Sequence, residues 1–208
     1  MNKVPVAKAV LCAALLASLA GCFPLVVGGV AMGAAATADR RTLGAQTEDK
    51  TITVKAETRL RQLGGENGHI NIASFNRKVL ITGEVPDQAT KDVAEREVRA
   101  IEGVQTVANE LVIAGPASYT SRSSDALVTT KVKASLVEMK TISASSFKVV
   151  TENGTVYLMG RVTQREGDVA TDVTKSVAGV ERVVKLFEYI TEEELRAITP
   201  KSMQSTQL

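Results

Sequence analysis

The sequence is poor in the residue types from which most metal centres and nucleic-acid platforms are built. Its 208 residues include two cysteines, one histidine, no tryptophan and only 3% aromatic residues. A single histidine, His69, excludes metal sites made from several imidazoles, and the scarcity of aromatic rings argues against base stacking on single strands. Because His69 follows the glycine-rich stretch 64–68, we interpret it as a surface-loop residue. We predict no metal ligand, no bound cofactor and no catalytic residue.

The first 22 residues have the pattern of a processed export signal. Two lysines precede an apolar run over residues 9–20, which is followed by Gly21 and Cys22. A basic start, a short apolar core and a small residue before the cut are typical of a secretory signal. A cysteine directly after the cut resembles the lipobox of bacterial lipoproteins, which implies an S-diacylglycerol and an N-acyl chain on Cys22. Several glycines and Pro24 argue against the alternative, a transmembrane helix.

The mature chain predicted from that cleavage is electrically neutral. Cleavage before Cys22 removes 21 of the 208 residues and leaves 187; it also removes two of the 25 basic residues, so 23 remain against 23 acidic ones. Neutrality argues against a general nucleic-acid binder. With one histidine, no free thiol and no phosphate loop, we predict that the protein is not an enzyme. Glu152 and Asp168 are interpreted as a residue beside a hairpin turn and a solvated helix residue, and not as a catalytic pair.

From residue 49 onward the chain repeats itself. Residues 49–53 align with 125–129 at an offset of 76, and residues 79–85 align with 156–162 at an offset of 77. One extra loop residue accounts for the slip, and the repetition predicts two copies of one small domain. Because a domain of about 65 residues is only marginally stable alone, packing of the two copies on each other is an open alternative to independent domains.

The order of elements in each copy is predicted as helix, strand, strand, helix, strand. In the second copy an apolar stripe recurs at helical spacing: Val128, Val132, Leu136 and Met139. Asn153 and Gly154 then suit a tight hairpin, because both tolerate positive φ. In the first copy we predict helices over 50–63 and 87–101 and strands over 69–75, 78–85 and 105–113.

Capping signals place the last elements of the second copy. Thr163 and Glu166 form a capping box, so the second helix should begin there. Gly179 should end that helix, and the closing strand is predicted over 182–189. Thr191 has the same relation to Glu194, which predicts a further short helix near 191–199.

The order of elements and the placement of its glycines resemble the BON domain. The hairpin ends in Gly83 or Gly160, and a Gly-Val pair, 103–104 or 179–180, precedes the closing strand. Two such copies behind a lipobox are similar to dual-BON outer-membrane lipoproteins, and so is Asp39-Arg40-Arg41 before the first copy. The resemblance implies an α+β fold of two tandem BON domains, each with helices packed on one face of a small three-stranded sheet.

These signals divide the chain into six segments. They are a signal peptide at 1–21, the lipidated cysteine and tether at 22–47, a first BON domain at 48–115, a linker at 116–123, a second BON domain at 124–191, and a short helix with a loose tail at 192–208. We interpret Asp39-Arg40-Arg41 as plain linker, with a packing or partner-binding role as the alternative.

The resemblance also implies a place and a role for the protein. Family members face the periplasm from the inner leaflet of the outer membrane, help to keep that membrane intact and gather at division sites. They bind anionic phospholipid, such as phosphatidylglycerol or cardiolipin, through the second BON domain. Phe23 after the lipidated cysteine fits outer-membrane sorting. The alternative function is a protein adapter for outer-membrane barrel assembly or the septal cell-wall machinery.

The first helix of the second copy carries the predicted lipid-binding surface. Leu127 and Val137 fall outside its apolar stripe and should reach solvent, and lysines flank them, as at a lipid interface. The predicted lipid-binding residues are Leu127, Val128, Lys131, Lys133, Ala134, Val137 and Thr141. The corresponding helix of the first copy offers Thr51 and Thr58 instead. The resemblance implies weaker anchoring here, because Leu127 stands where one member of the family has a tryptophan.

Overall fold

The structure is a computed structural model that describes residues 39–63, 69–115 and 119–198. The predicted signal peptide, the lipidation site Cys22 and the first part of the tether lie outside the described residues, as does the predicted tail beyond residue 198. Within the described ranges, no helix has both the length and the apolar character needed to span a bilayer.

The described residues form five α-helices and seven strands. The helices are α1 (Leu43–Leu60), α2 (Gln88–Arg99), α3 (Tyr119–Glu138), α4 (Gln164–Lys175) and α5 (Glu192–Ile198). The strands are β1 (His69–Phe75), β2 (Lys78–Val85), β3 (Thr106–Asn109), β4 (Val112–Ile113), β5 (Phe147–Glu152), β6 (Thr155–Val162) and β7 (Arg182–Tyr189). A 3-10 turn at Ala144–Ser146 precedes β5.

Each copy builds its own mixed sheet around a hairpin. In the first copy β1 pairs antiparallel with β2, and β3 and β4 both pair parallel to β2. In the second copy β5 pairs antiparallel with β6, and β7 pairs parallel to β6. A parallel pair requires a crossover, which α2 and α4 provide. The predicted α+β class is confirmed.

Three predicted boundaries need correction. The strand predicted over 105–113 is broken into β3 and β4 because Leu111 turns into the core, so this sheet has four strands instead of three. Helix α1 begins at Leu43 and not at residue 50, since the Thr42 hydroxyl accepts a hydrogen bond from the Ala45 N–H at 3.1 Å. Helix α3 begins at Tyr119, inside the predicted linker; Ser121 in its first turn lies 3.3 Å from Asn153.

The hairpin of the second copy rests on an aspartate of α3. Asn153 and Gly154 have φ values of 47° and 69°, as predicted for an Asn-Gly turn. The two carboxylate oxygens of Asp125 accept hydrogen bonds from their backbone N–H groups, at 2.9 Å and 3.0 Å. The helix therefore holds the turn that connects β5 to β6.

Asp49 of α1 has the same role in the first copy. Its carboxylate accepts hydrogen bonds from the backbone N–H groups of Asn76 at 2.6 Å and Arg77 at 2.8 Å, and from the Ser74 hydroxyl at 2.6 Å. Both turn residues have positive φ although neither is glycine. The repeat therefore extends to the hydrogen bonds that organise each hairpin.

The two copies pack sheet against sheet. In each copy the helices cover one face of the sheet, and the apolar stripe of α3 lies in the core of the second copy as predicted. The opposite faces form a third apolar cluster, whose buried members are Ala73, Phe75, Leu80, Tyr157 and Met159. The order of layers is helices, sheet, sheet, helices, so the domains do pack on each other.

Candidate functional site

The face of α3 that points away from the core exposes apolar side chains next to lysines. Leu127 is 63% exposed and Val137 is 71% exposed. At 100° and 1.5 Å per residue, they lie about 15 Å apart along the axis. Ala134 lies between them around the helix, and Lys131 and Lys133 lie at the two edges; all three are exposed. We call these five residues the α3 face.

Two residues predicted for lipid binding lie elsewhere. Val128 is only 4% exposed and packs in the core of the second copy, so its inclusion in the lipid-binding surface was wrong. It lies about 100° around the helix from Leu127, which turns it towards the sheet. Thr141 is exposed but follows the end of α3, and its carbonyl accepts a hydrogen bond from Arg165 at 3.0 Å. The structure therefore leaves Thr141 exposed beyond the end of α3 and places Val128 outside the α3 face.

The lysines of the α3 face are available to an external anion. Of the ion pairs formed between described residues, none includes Lys131 or Lys133. A lysine that is exposed and has no carboxylate within ion-pair distance contributes an uncompensated positive charge to the surface. The α3 face therefore combines apolar area with positive charge.

Helix α1 of the first copy also exposes two large apolar residues, Leu43 and Val54, which the sequence comparison of the two helices missed; Leu43, its first residue, is 69% exposed. Val54 is 61% exposed, next to the exposed Lys55. The position one helical turn beyond Val54 is Thr58, whereas the α3 face continues through Ala134 to Val137. Leu43 and Val54 lie about 20° apart around α1 and about 16 Å apart along it, but the exposed residues between them, Thr47 and Lys50, are polar. The two helices therefore differ in the continuity of the apolar surface and not in its length.

The segment Asp39-Arg40-Arg41 joins the two copies. The Arg40 guanidinium donates two hydrogen bonds of 2.7 Å to the carboxylate of Glu166, at the start of α4, and a third of 3.0 Å to the Arg161 carbonyl. Burial raises the pKa of Glu166, but Arg40 and the Thr163 backbone N–H outweigh burial, so the pKa lies below its ordinary value. Glu166 also completes the predicted capping box with Thr163.

Arg41 binds the first copy in the same way. Its guanidinium donates a 2.7 Å hydrogen bond to Asp49 and a 2.6 Å hydrogen bond to Asp39, and its Cζ lies 4.3 Å from the centre of the Phe75 ring. Burial raises the pKa of Asp49, but the hydrogen bonds that it accepts outweigh burial and leave the pKa low. The interpretation of this segment as plain linker was wrong, and its packing alternative is correct.

Comparison with known proteins identifies the fold. The family model described as "BON domain" matches residues 48–115 and 124–191. "Outer membrane lipoprotein DolP" of Haemophilus influenzae is 37% identical over 175 residues, which cover 83% of this chain and 90% of that protein. The chain is a dual-BON protein of the DolP family. This relationship supports an outer-membrane lipoprotein.

Two further relatives are similar over most of their length. The "21 kDa hemolysin" of Actinobacillus pleuropneumoniae is 30% identical over 154 residues, which cover 73% of this chain and 79% of that protein. "Osmotically-inducible protein Y" of Escherichia coli is 29% identical over 140 residues, which cover 65% of this chain and 70% of that protein. None of these three relatives of this DolP-family chain is named as an enzyme.

The two BON domains of this DolP-family chain bring together two polar residues, His69 and Glu152, that were interpreted from the sequence as a surface-loop residue and a residue beside a hairpin turn. His69 is not a loop residue: it is the first residue of β1, and its Nδ1 lies 3.9 Å from a carboxylate oxygen of Glu84 and 3.9 Å from one of Glu152. Glu152 ends β5 and is buried. The sequence carries one indication that polar residues are buried between the domains. Alternate strand residues share a face, so Thr82 and Glu84 lie on the same face of β2 as Leu80, the face that meets the other domain.

Proposed function

We propose that acyl chains on Cys22 anchor this protein in the periplasmic leaflet of the outer membrane and that the α3 face binds anionic phospholipid there. Bound in this way, the protein helps to keep the outer membrane intact. The observation that carries the proposal is the α3 face itself, in which Leu127 and Val137 are largely exposed beside lysines that form no ion pair among the described residues.

The free energy available from this surface is small. Burial of the exposed parts of Leu127 and Val137 contributes about 1–2 kcal/mol each, and each lysine near an anionic leaflet contributes about 1 kcal/mol. The total of about 4–6 kcal/mol corresponds to dissociation constants between about 1 mM and about 0.04 mM. A surface of this strength needs a second attachment to stay on a membrane.

The anchor at Cys22 supplies that attachment. Sixteen residues separate Cys22 from Asp39, where the contacts of Arg40 and Arg41 hold the chain to both BON domains. A chain of that length reaches at most about 60 Å, so the folded part stays close to the leaflet. Tethering raises the effective lipid concentration to the range in which millimolar contacts are occupied.

Flotation with vesicles tests the surface separately from the anchor. The chain from residue 22 with Cys22→Ser keeps every described residue and cannot be acylated. With lipid in the millimolar range, where contacts of this strength are occupied without an anchor, we expect it to float with vesicles that contain phosphatidylglycerol or cardiolipin and not with phosphatidylcholine alone. We expect added salt to weaken the binding. Replacing Leu127 and Val137 together by serine should weaken binding at least about tenfold, which corresponds to a loss of 1.4 kcal/mol.

Val54→Ser on α1 is the matched control, because Val54 is as exposed as Leu127 but lies on the other domain. We expect this variant to bind like the unmodified sequence. Binding that survives the double substitution on α3 unchanged contradicts the proposed surface. The anchor is tested separately by the intact mass of the mature protein from cells, where an unmodified thiol at Cys22 would contradict it.

A second candidate function is a protein adapter that docks through the first BON domain. It is favoured by strand β4, where Val112 and Ile113 are each half exposed. Photo-crosslinking from position 113 in cells should then capture one envelope protein in preference to lipid. A result without any protein adduct leaves lipid binding as the function of the chain.

A further inference from the structure

His69, Glu84 and Glu152 converge at the junction of the two BON domains. Their ligand atoms all lie within 4.8 Å of one another. His69 Nδ1 is 3.9 Å from Glu84 Oε2 and 3.9 Å from Glu152 Oε1. Two of these residues belong to the first domain and the third belongs to the second.

The His69 nitrogen that points into this cluster is buried. Nδ1 has no accessible surface and no hydrogen-bond partner among the described residues, while the His69 side chain as a whole is 23% exposed. Distances of 3.9 Å are too long for hydrogen bonds to the two carboxylates. A buried polar atom without a partner costs free energy, so this nitrogen is a position at which a ligand would compensate that cost.

Each carboxylate is oriented through its other oxygen. Glu152 Oε2 accepts hydrogen bonds from Asn71 Nδ2 at 2.8 Å and from Thr82 Oγ1 at 3.1 Å, both in the first domain. Glu84 Oε1 accepts a hydrogen bond from Asn153 Nδ2 at 2.6 Å, in the second domain. The oxygens that face His69 are Glu84 Oε2 and Glu152 Oε1. Hydrogen bonds that fix a carboxylate and present its second oxygen are the arrangement found around metal ligands.

The spacing suits a small divalent ion. Zinc binds imidazole nitrogen and carboxylate oxygen at about 2.0–2.2 Å, which separates two ligands of a tetrahedral site by about 3.4 Å. The two pairs that include His69 would therefore close by about half an ångström from 3.9 Å. The two carboxylate oxygens, which lie within 4.8 Å of each other, would close by at most about 1.4 Å. Imidazole with carboxylates selects a transition-metal ion over magnesium or calcium, which prefer oxygen ligands alone.

We propose that His69, Glu84 and Glu152 bind one divalent transition-metal ion, with zinc as the reference ion and water in the fourth position. Because Glu152 comes from one BON domain and the other two ligands come from its neighbour, the ion joins the domains. It also neutralises carboxylate charge inside the junction, because none of the ion pairs among the described residues joins the buried Glu152 to a lysine or an arginine. A site with one histidine and two carboxylates is compatible with the single histidine of the sequence, which excludes only metal sites built from several histidines.

Titration of the mature chain with zinc tests the proposal, using a purification tag without histidine. Because the chain has one histidine, the NMR signals of its imidazole report on this site alone. We expect those signals to shift and saturate at one ion per chain. At free zinc 100 times the dissociation constant, the unfolding midpoint should rise by about 5–10 °C. Magnesium at the same concentration should leave both readouts unchanged.

Two variants identify the ligands. His69→Gln should abolish the rise in midpoint, and Asn71→Ala, which removes a hydrogen bond to Glu152, should weaken zinc binding about 10–100-fold. Asp172→Asn is the control for adventitious binding, because Asp172 is an exposed carboxylate outside the junction; it should bind zinc normally. Imidazole signals that do not move in the unmodified sequence overturn the proposal, whatever the variants do. A rise in midpoint that persists in His69→Gln overturns it equally.

Discussion

Replacing Arg40 by methionine tests whether the segment before the first domain holds the two BON domains together. The Arg40 and Glu166 side chains are 12% and 3% exposed and are joined by two hydrogen bonds of 2.7 Å. Removal of one partner leaves the other charge buried, which costs about 3–5 kcal/mol. Because Arg40 is not fully buried, we expect the free energy of unfolding to fall by about 3 kcal/mol, the lower end of that range.

The pH dependence gives the prediction a second readout. The pKa of Glu166 is depressed in the folded chain, so its contribution to stability is present above its ordinary pKa and is lost as the pH falls through the folded value. Arg40→Met should therefore lose less stability on acidification than the unmodified sequence. Urea unfolding at neutral and acidic pH, followed by circular dichroism, measures both effects.

Arg99→Met is the matched control. Arg99 forms an ion pair of 2.6 Å with Glu95, but both side chains are exposed, so its removal should cost less than about 1 kcal/mol. Glu166→Gln offers a complementary test, because it removes the carboxylate charge that pairs with Arg40, while glutamine can still complete the capping box with Thr163. If Arg40→Met unfolds like the control and keeps the pH dependence of the unmodified sequence, Arg40 does not couple the domains and the reasoning is refuted.

The remaining predictions concern the hairpins. Gly83→Ala should destabilise the chain by more than about 3 kcal/mol, since Gly83 has a φ of 114° and a Cβ would lie 1.8 Å from the His69 carbonyl oxygen; thermal unfolding measures the loss, and an unchanged midpoint contradicts that geometry. Asp125→Ala should cost about 2–3 kcal/mol, because the N–H groups of Asn153 and Gly154 lose their acceptor. Amide hydrogen exchange should then speed up at this turn, and equal protection in both proteins would show that Asp125 does not hold it.

Local chemistry made much of the fold predictable. The Asn153-Gly154 turn, the Thr163 capping box and the closing strand each depend on residues within a few positions of one another, and the structure confirms all three. The α3 face was also predictable in part, because helical spacing alone separates Leu127 from the core stripe. The same spacing places Val128 in the core stripe, and it therefore argues against Val128 as a lipid-binding residue.

Contacts between distant residues account for what the sequence did not show. Arg40 meets Glu166 across 126 positions of sequence, and no local pattern distinguishes a paired arginine from a solvated one. The packing of the two sheets on each other is only weakly indicated by the sequence. The central strands carry unbroken apolar runs, 79–81 and 156–159, which are typical of strands buried on both faces.

Back-to-back sheets make each BON domain the complement of the other. Phe75 and Leu80 on one sheet and Tyr157 and Met159 on the other would face water if their neighbour were absent. Joining both domains in one chain supplies that neighbour at an effective concentration that dilution cannot lower. A single molecule therefore keeps the apolar faces of its two sheets covered at any dilution.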